Sequence, residues 1–229
     1  MDIKLDYTEK GSGEVLFLLH GNGEDRSYFK HQLEFFSPHR RVIAPDTRGH
    51  GKSPRGTAPF TIKQFAEDLL KLMDELKIES AEILGFSDGA NIALTFALKY
   101  PHRVKKLILN GGNLFPKGVK RSVQLPIEIG FAIASRAAAK SPQARLNAEM
   151  LGLMVNEPNI SPDMLSAVDI PVLVIAGTKD MIKESHTRLI AESLPRSELV
   201  IIKGDHFIAN KQHEAFNRAA AEFLEITLS

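Results

Sequence analysis

Cysteine is missing from all 229 residues. Its absence excludes disulfide staples, thiolate catalysis and cysteine-ligated zinc. Tryptophan is missing as well. Long hydrophobic runs are lacking too: the longest apolar stretches, such as Val15 to Leu19 and Val172 to Ala176, fall far short of the roughly 20 residues that a membrane-spanning helix needs. No sign of charge dominates. The formal net charge is +1, so no global field argues for nucleic acid or a membrane surface as partner. The opening MDIKLDYTEK is charged throughout and has no apolar core, so no signal peptide is expected and the cytoplasm is the expected compartment. Hydrophobic residues make up 43% and charged residues 25%, the balance of a folded domain with a sizeable core rather than a disordered chain.

What is present is an alternation of strands and helices. Ile3 to Tyr7 alternates apolar and polar side chains, as an edge strand does, and Lys10-Gly11-Ser12-Gly13 makes the turn after it. Val15 to Leu19 is continuously apolar, the pattern of a strand buried on both faces of a mainly parallel sheet. Arg41 to Pro45, Ala81 to Phe86, Val104 to Asn110, Val172 to Ala176 and Leu199 to Ile202 repeat it. Thr61 and Gln64 have capping-box spacing ahead of a broad apolar stripe from Ile62 to Leu76. Further helices are expected over Asn91 to Tyr100, Glu184 to Leu194 and His213 to Ile226. The expected fold is α/β: a mostly parallel, doubly wound sheet of about seven strands with helices on both faces.

Between Gly111 and about Asp169 the alternation stops. This stretch reads as helices around Pro126 to Lys140, from Ser141-Pro142 to Met154, and near Pro162 to Ala167, with Ser-Pro fitting a helix start. It is expected to be a small helical cap over residues 113–168, inserted in a core formed by 1–112 and 169–229. The insertion carries Lys117, Lys120, Arg121, Arg136, Lys140 and Arg145, read as a solvated face. Phe115, Phe131, Met150, Leu151 and Met154 are read mainly as packing residues.

Parallel sheets present their chemistry at the carboxyl ends of the strands. Gly85-Phe86-Ser87-Asp88-Gly89 matches G-x-S-x-G where a strand ends and a helix begins, the context in which a sharp turn lifts a serine hydroxyl above the sheet. Its flanking positions are glycine because side chains there would collide. His20-Gly21-Asn22-Gly23 follows Val15 to Leu19, and the backbone amides of Asn22 and Asp88 are the candidate oxyanion donors. His20 is read as a hydrogen-bonded brace for that loop, and Asp88 as a cap for its own helix. Asp180 and His206 each follow a strand, giving the order Ser87, Asp180, His206. In that order His206 serves as base and Asp180 orients it. Asp205 is a competitor for the acid, but an immediate neighbour of His206 cannot easily reach the far ring nitrogen. Gly51-Lys52-Ser53 suggests a phosphate loop, yet that motif requires glycine where Asp46 stands. The segment Asp46 to Ser53 reads as structural, bracing the site through Asp46 and Arg48.

Taken together, His20-Gly21-Asn22-Gly23, Asp46 to Ser53, Gly85 to Gly89, Asp180 and Gly204-Asp205-His206 resemble the α/β-hydrolase superfamily, in its branch with a small helical cap. The resemblance spans nearly the whole chain. It implies a Ser-His-Asp triad, an oxyanion hole, a cap that shapes the pocket, and no metal or other cofactor. Haloalkane dehalogenases and epoxide hydrolases carry aspartate at the Ser87 position, which argues against both. Hydrolases of meta-cleavage products commonly extend the oxyanion loop with Pro-Gly and have a nearby tryptophan; here the loop reads Gly23-Glu24-Asp25-Arg26. The expected activity is therefore that of a carboxylesterase acting on a small or medium ester through an acyl-enzyme at Ser87. Carbon–carbon bond hydrolysis or acyl transfer with the same residues is the second reading, and a ligand sensor without turnover the third.

Overall fold

The computed structural model describes residues 2–227, so residues 1, 228 and 229 of the expected core lie outside the described residues. Seven strands, β1 (Tyr7–Lys10), β2 (Val15–Leu19), β3 (Arg41–Pro45), β4 (Ala81–Phe86), β5 (Val104–Asn110), β6 (Val172–Gly177) and β7 (Ser197–Ile202), form one sheet in the order β1-β3-β2-β4-β5-β6-β7. β1 runs antiparallel to β3, and every other neighbouring pair is parallel. The edge strand begins at Tyr7, opposite Pro45, and not at Ile3. Ile3 and Leu5 are buried; their alternation reflects packing against the core without a hydrogen-bonded ladder.

Side chains that alternate along the central strands feed two separate cores. Leu16, Leu18, Leu84, Phe86, Ile108, Leu173 and Ile175 pack with residues of α1 (Lys30–Phe36) and α8 (His213–Phe223) on one face. Phe17, Leu19, Ile83, Leu107, Leu109, Val172 and Val174 pack with residues of α2 (Ile62–Glu75), α3 (Asp88–Lys99) and α6 (Glu184–Ser193) on the other. Burial on both faces is why these strands read as continuous apolar runs. Each fully buried Leu, Ile or Phe contributes about 1.5–3 kcal/mol relative to exposure. The helix α1, preceded by a 3-10 turn over Arg26–Phe29, was not foreseen from the sequence.

Thr61 caps α2, its Oγ1 accepting from the Gln64 amide at 3.1 Å. Gln64 turns its own side chain toward Asp68, so only half of the expected capping box forms. In the 113–168 segment, α4 (Arg121–Ala137) starts five residues before Pro126 and keeps that proline inside. The Pro126 ring removes the bond that would reach the Ser122 carbonyl, but the helix is already anchored upstream, where the Lys120 amide donates to the Met181 carbonyl at 2.8 Å. α5 (Pro142–Asn156) starts as expected, with Ser141 Oγ accepting from the Ala144 amide. Residues Pro162–Ala167 form a 3-10 turn. A short α7 (Ile208–Lys211) precedes α8. Among the described residues, no helix is long and apolar enough to cross a membrane.

Candidate active site

β4 ends at Phe86 and α3 begins at Asp88, leaving Ser87 alone to make the turn. Its φ of +53° and ψ of −120° lie outside the regions an L-residue ordinarily adopts, a conformation that costs on the order of 1–3 kcal/mol and clusters at functional sites. The turn is held from both sides. The Ser87 amide donates to the Asn110 carbonyl at 2.8 Å, and the Ser87 carbonyl accepts from the Ala90 and Asn91 amides. The glycines on either side are required by contact: a Cβ on Gly85 would lie 2.3 Å from the Gly89 carbonyl oxygen, and one on Gly89 only 2.0 Å from that of Leu19.

Two other strand ends converge on this serine. His206, after β7, places Nε2 3.1 Å from Ser87 Oγ. Its Nδ1 lies 2.7 Å from Oδ1 of Asp180, which follows β6. That same Oδ1 accepts from the Ile182 amide at 2.9 Å, so it is committed as an acceptor and His206 carries its proton on Nδ1. Nε2 is then free to accept from the serine hydroxyl. His206 and Asp180 are both buried. Asp205 makes no contact with the ring nitrogens; its carboxylate accepts from the Phe207 amide and from Lys211 Nζ.

The loop after β2 comes close to the serine. A Cβ on Gly21 would lie 3.2 Å from that of Ser87. His20 braces this loop as expected: Nε2 accepts from the Thr47 amide at 2.9 Å, which leaves Nδ1 to donate to the Gly21 carbonyl at 2.8 Å. Burial lowers its pKa to about 4, so the ring is neutral at physiological pH. The backbone amides of Asn22 and Asp88 donate to no other protein group among the described residues. The Asn22 side chain is tied to the 113–168 segment, donating to the Met150 carbonyl at 2.6 Å.

Asp46 and Arg48 carry out the bracing role. The Asp46 carboxylate accepts from the Arg26 and Lys52 amides, each at 2.8 Å. A Cβ on Gly51 would fall 2.2 Å from Asp46 Oδ2, so that glycine serves a carboxylate and has nothing to do with phosphate. Arg48, fully buried, is clasped by Asp68 and Asp2.

Asp88 does not cap its helix. It occupies the first position of α3 rather than the cap. Oδ1 accepts from the Asn91 side chain at 3.2 Å, and Oδ2 has no partner among the described residues. Burial pushes its carboxyl up to about 6; the Asn91 and Asn22 side chains draw it down, while Glu157 adds to the rise. Two more participants escape sequence reading. Gly111, after β5, has φ +64° and lies against the His206 ring. Lys120, read as part of a solvated face, donates from Nζ to the Asp180 carbonyl. Each is a single residue just beyond a recognised element, and the Gly-Gly pair after β5 is the only cue the sequence holds. Of the expected packing residues, Phe115 sits edge-on to His186 with ring centroids 4.6 Å apart, and Phe131 lies against Gly152.

A strand-to-helix serine with a histidine and an aspartate from later strand ends, on a mostly parallel seven-stranded sheet, is the architecture of an α/β hydrolase. The alpha/beta hydrolase fold family profile matches residues 14–127. The chain is 31% identical to "Putative carbamate hydrolase RutD" of Caulobacter sp. (strain K31), over 92% of this chain and 90% of that one. It is 29% identical to "3-oxoadipate enol-lactonase 2" of Acinetobacter baylyi (strain ATCC 33305 / BD413 / ADP1), over 95% and 92%. A solved thermophilic esterase from Thermogutta terrifontis superposes with a TM-score of 0.83 at 26% identity, covering 97% of this chain and 93% of the other. The chain belongs to the α/β-hydrolase superfamily, and it is a hydrolase.

Proposed function

We propose that the chain is a carboxylesterase acting on a small or medium ester, with Ser87 as nucleophile, His206 as base and Asp180 as the group that orients it. The observation that carries this reading is the continuous relay from Asp180 Oδ1 to His206 Nδ1 at 2.7 Å and from His206 Nε2 to Ser87 Oγ at 3.1 Å. As Ser87 Oγ bonds to the ester carbonyl carbon, its proton passes to His206 Nε2, and Asp180 stabilises the imidazolium. The carbonyl oxygen, now anionic, is received by the amides of Asn22 and Asp88. One such donor contributes about 10²–10³ in rate. Collapse of the tetrahedral intermediate breaks the ester C–O bond, and His206 returns the proton to the departing alcohol. Water then repeats the sequence on the acyl-enzyme and frees the acid and Ser87.

Residues 113–168 act in this reading as a helical cap over the core formed by 1–112 and 169–229. What supports that role is its double attachment to the site, at Asn22 through Met150 and at Asp180 through Lys120. The partner is a small molecule, and the chemistry needs no group beyond the side chains named. Carbon–carbon hydrolysis has no observation of its own in favour.

The test is turnover of a short-chain p-nitrophenyl ester by the purified protein, with fluorophosphonate labelling. Ser87→Ala is expected to abolish both. Ester turnover that persists in Ser87→Ala would overturn the assignment, and a vinylogous diketone cleaved in preference to the ester would move it to carbon–carbon hydrolysis.

A further inference from the structure

The helix α4 is apolar on both of its sides. Its inner side faces α5: Gln124 Nε2 donates to the Met154 carbonyl at 3.1 Å, Leu151 lies against Gly130, and Phe131 against Gly152. The outer side carries Leu125, Ile129 and Ile133 at the four-residue spacing that aligns side chains along a helix, and they are 43%, 54% and 62% exposed. Pro126 and Ala132 lie on the same side and are exposed too. A helix that is hydrophobic all round is ordinarily buried. Three of the five large apolar side chains left exposed among the described residues thus gather on one helix face. Scattered singly they would need no explanation; aligned, they mark a contact surface.

The charges that flank this face are of one sign. Between residues 113 and 148 the sequence holds six basic residues, Lys117, Lys120, Arg121, Arg136, Lys140 and Arg145, against one acid, Glu128. Glu128 is held by Arg121, and Lys120 is engaged with the Asp180 carbonyl. Arg136 follows Ala132 and Ile133 on the outer side, and Lys140 lies just past the end of the helix. Both are exposed, and neither forms an ion pair among the described residues. The net charge of +1 for the whole chain conceals this local excess.

We propose that the outer side of α4, with Arg136 and Lys140 at its end, docks the 113–168 segment on the surface of an anionic lipid bilayer. Leu125, Ile129 and Ile133 enter the boundary between headgroups and acyl chains, while the guanidinium and ammonium stay with the phosphates, as in helices that lie in the plane of a membrane surface. The charge pattern decides against a second copy of the chain. Two α4 helices paired antiparallel about Ile129 would bring Arg121 of each toward Arg136 of the other; paired in parallel, each arginine would meet its counterpart. Size decides the same way, because five side chains are far fewer than the roughly 20–30 residues a side of a stable protein interface. None of these residues belongs to the relay at Ser87, so the surface stands apart from the esterase reading.

The test is sedimentation of the purified full chain with vesicles of phosphatidylcholine and phosphatidylglycerol in equal parts, set against phosphatidylcholine alone. The wild type is expected to bind the mixed vesicles about 10-fold more tightly, as two basic residues near an anionic surface require. About 1 M NaCl, which screens charges within roughly 3 Å, should remove that preference. Ile129→Glu/Ile133→Glu is expected to weaken binding about 10- to 100-fold, the worth of one buried isoleucine, with melting temperature and p-nitrophenyl ester turnover unchanged. Arg136→Glu/Lys140→Glu should lose the preference for the mixed vesicles. The chain has no tryptophan, so Ile129→Trp supplies a single reporter, whose emission shifts to the blue and is quenched by brominated lipid when the face inserts. A wild type that stays in solution with both vesicles, an Ile129→Glu/Ile133→Glu variant that binds like the wild type, equal binding to the two compositions, or a reporter that brominated lipid leaves unquenched overturns the proposal. So does a wild-type dimer that Ile129→Glu/Ile133→Glu abolishes, which would assign the face to a second copy.

Discussion

A Cβ at position 111 would stand 2.7 Å from Cε1 of the His206 ring. Gly111 also has φ +64°, a conformation that side-chain-bearing residues adopt only with strain. Both facts make this glycine the wall against which the imidazole rests, with Asp180 Oδ2 3.4 Å from the same Cβ position. Gly111→Ala is therefore expected to displace the ring from Ser87. A shift of about 1 Å can cost on the order of 10²-fold in rate, so kcat should fall by about that factor, with slower fluorophosphonate labelling. Full kcat at an unchanged melting temperature would mean that the ring is positioned by something else.

The Asp180 carboxylate meets a donor at each oxygen: His206 and the Ile182 amide at Oδ1, and the Gly177 amide at 3.4 Å from Oδ2. An asparagine cannot satisfy this arrangement, because its NH₂ must face a donor whichever way it is turned. Asp180→Asn should lower kcat by about 10³–10⁴ by favouring the wrong histidine tautomer, as in serine hydrolases of this design. KM should change little, which steady-state kinetics on one ester will check. A loss confined to KM would argue that Asp180 acts in binding.

The central strands were legible because burial on both faces leaves a run of apolar residues that few other settings produce, as in Val15 to Leu19 and Val172 to Ala176. The strand-end rule then pointed to Ser87, Asp180 and His206, and the His206 ring lies within hydrogen-bonding distance of both other side chains. Legibility failed where the cue was tertiary. Ile3 and Leu5 alternate like a strand, but their burial comes from packing and the ladder starts only at Tyr7. The seven residues of α1 carry too little periodicity to stand out beside three phenylalanines. Gly111 and Lys120 owe their roles to partners more than fifty residues away, and no local pattern encodes them.

Arg48 makes two hydrogen bonds to Asp68, each at 2.7 Å, and two more to Asp2. Arg48 and Asp68 are both buried, so removing Asp68 leaves a buried guanidinium with Asp2 as its one remaining carboxylate partner among the described residues. Asp68→Ala is expected to destabilise the fold by about 3–5 kcal/mol. Replacing both residues with apolar side chains of similar volume should recover much of that loss. Urea denaturation of the single and double variants measures it; a single variant as stable as the wild type would mean that water or Asp2 alone satisfies the guanidinium.

His20 and Asp88 give stability opposite pH dependences. The His20 pKa is lowered from 6.5 to about 4, chiefly by burial. The unfolded chain therefore takes up that proton first, and the stability contributed by the neutral ring is present above pH 6.5 and lost as pH falls toward 4. The Asp88 pKa is raised from 3.8 to about 6, again chiefly by burial. Here the folded chain binds the proton more tightly, so the contribution is present below about pH 4 and lost as pH rises through 6. Each shift corresponds to about 3 kcal/mol, so the two largely offset one another between pH 4 and 6.5. Asp88→Asn removes the acidic member of the pair. Relative to the wild type, it should gain about 3 kcal/mol on going from pH 4 to pH 8, and its own stability should fall more steeply on acidification through the His20 range. Urea midpoints across that interval provide the measurement. A constant difference between variant and wild type would mean that the Asp88 carboxyl ionises in the folded protein as it does in the unfolded chain, and the cost assigned to its unpartnered oxygen would vanish with it.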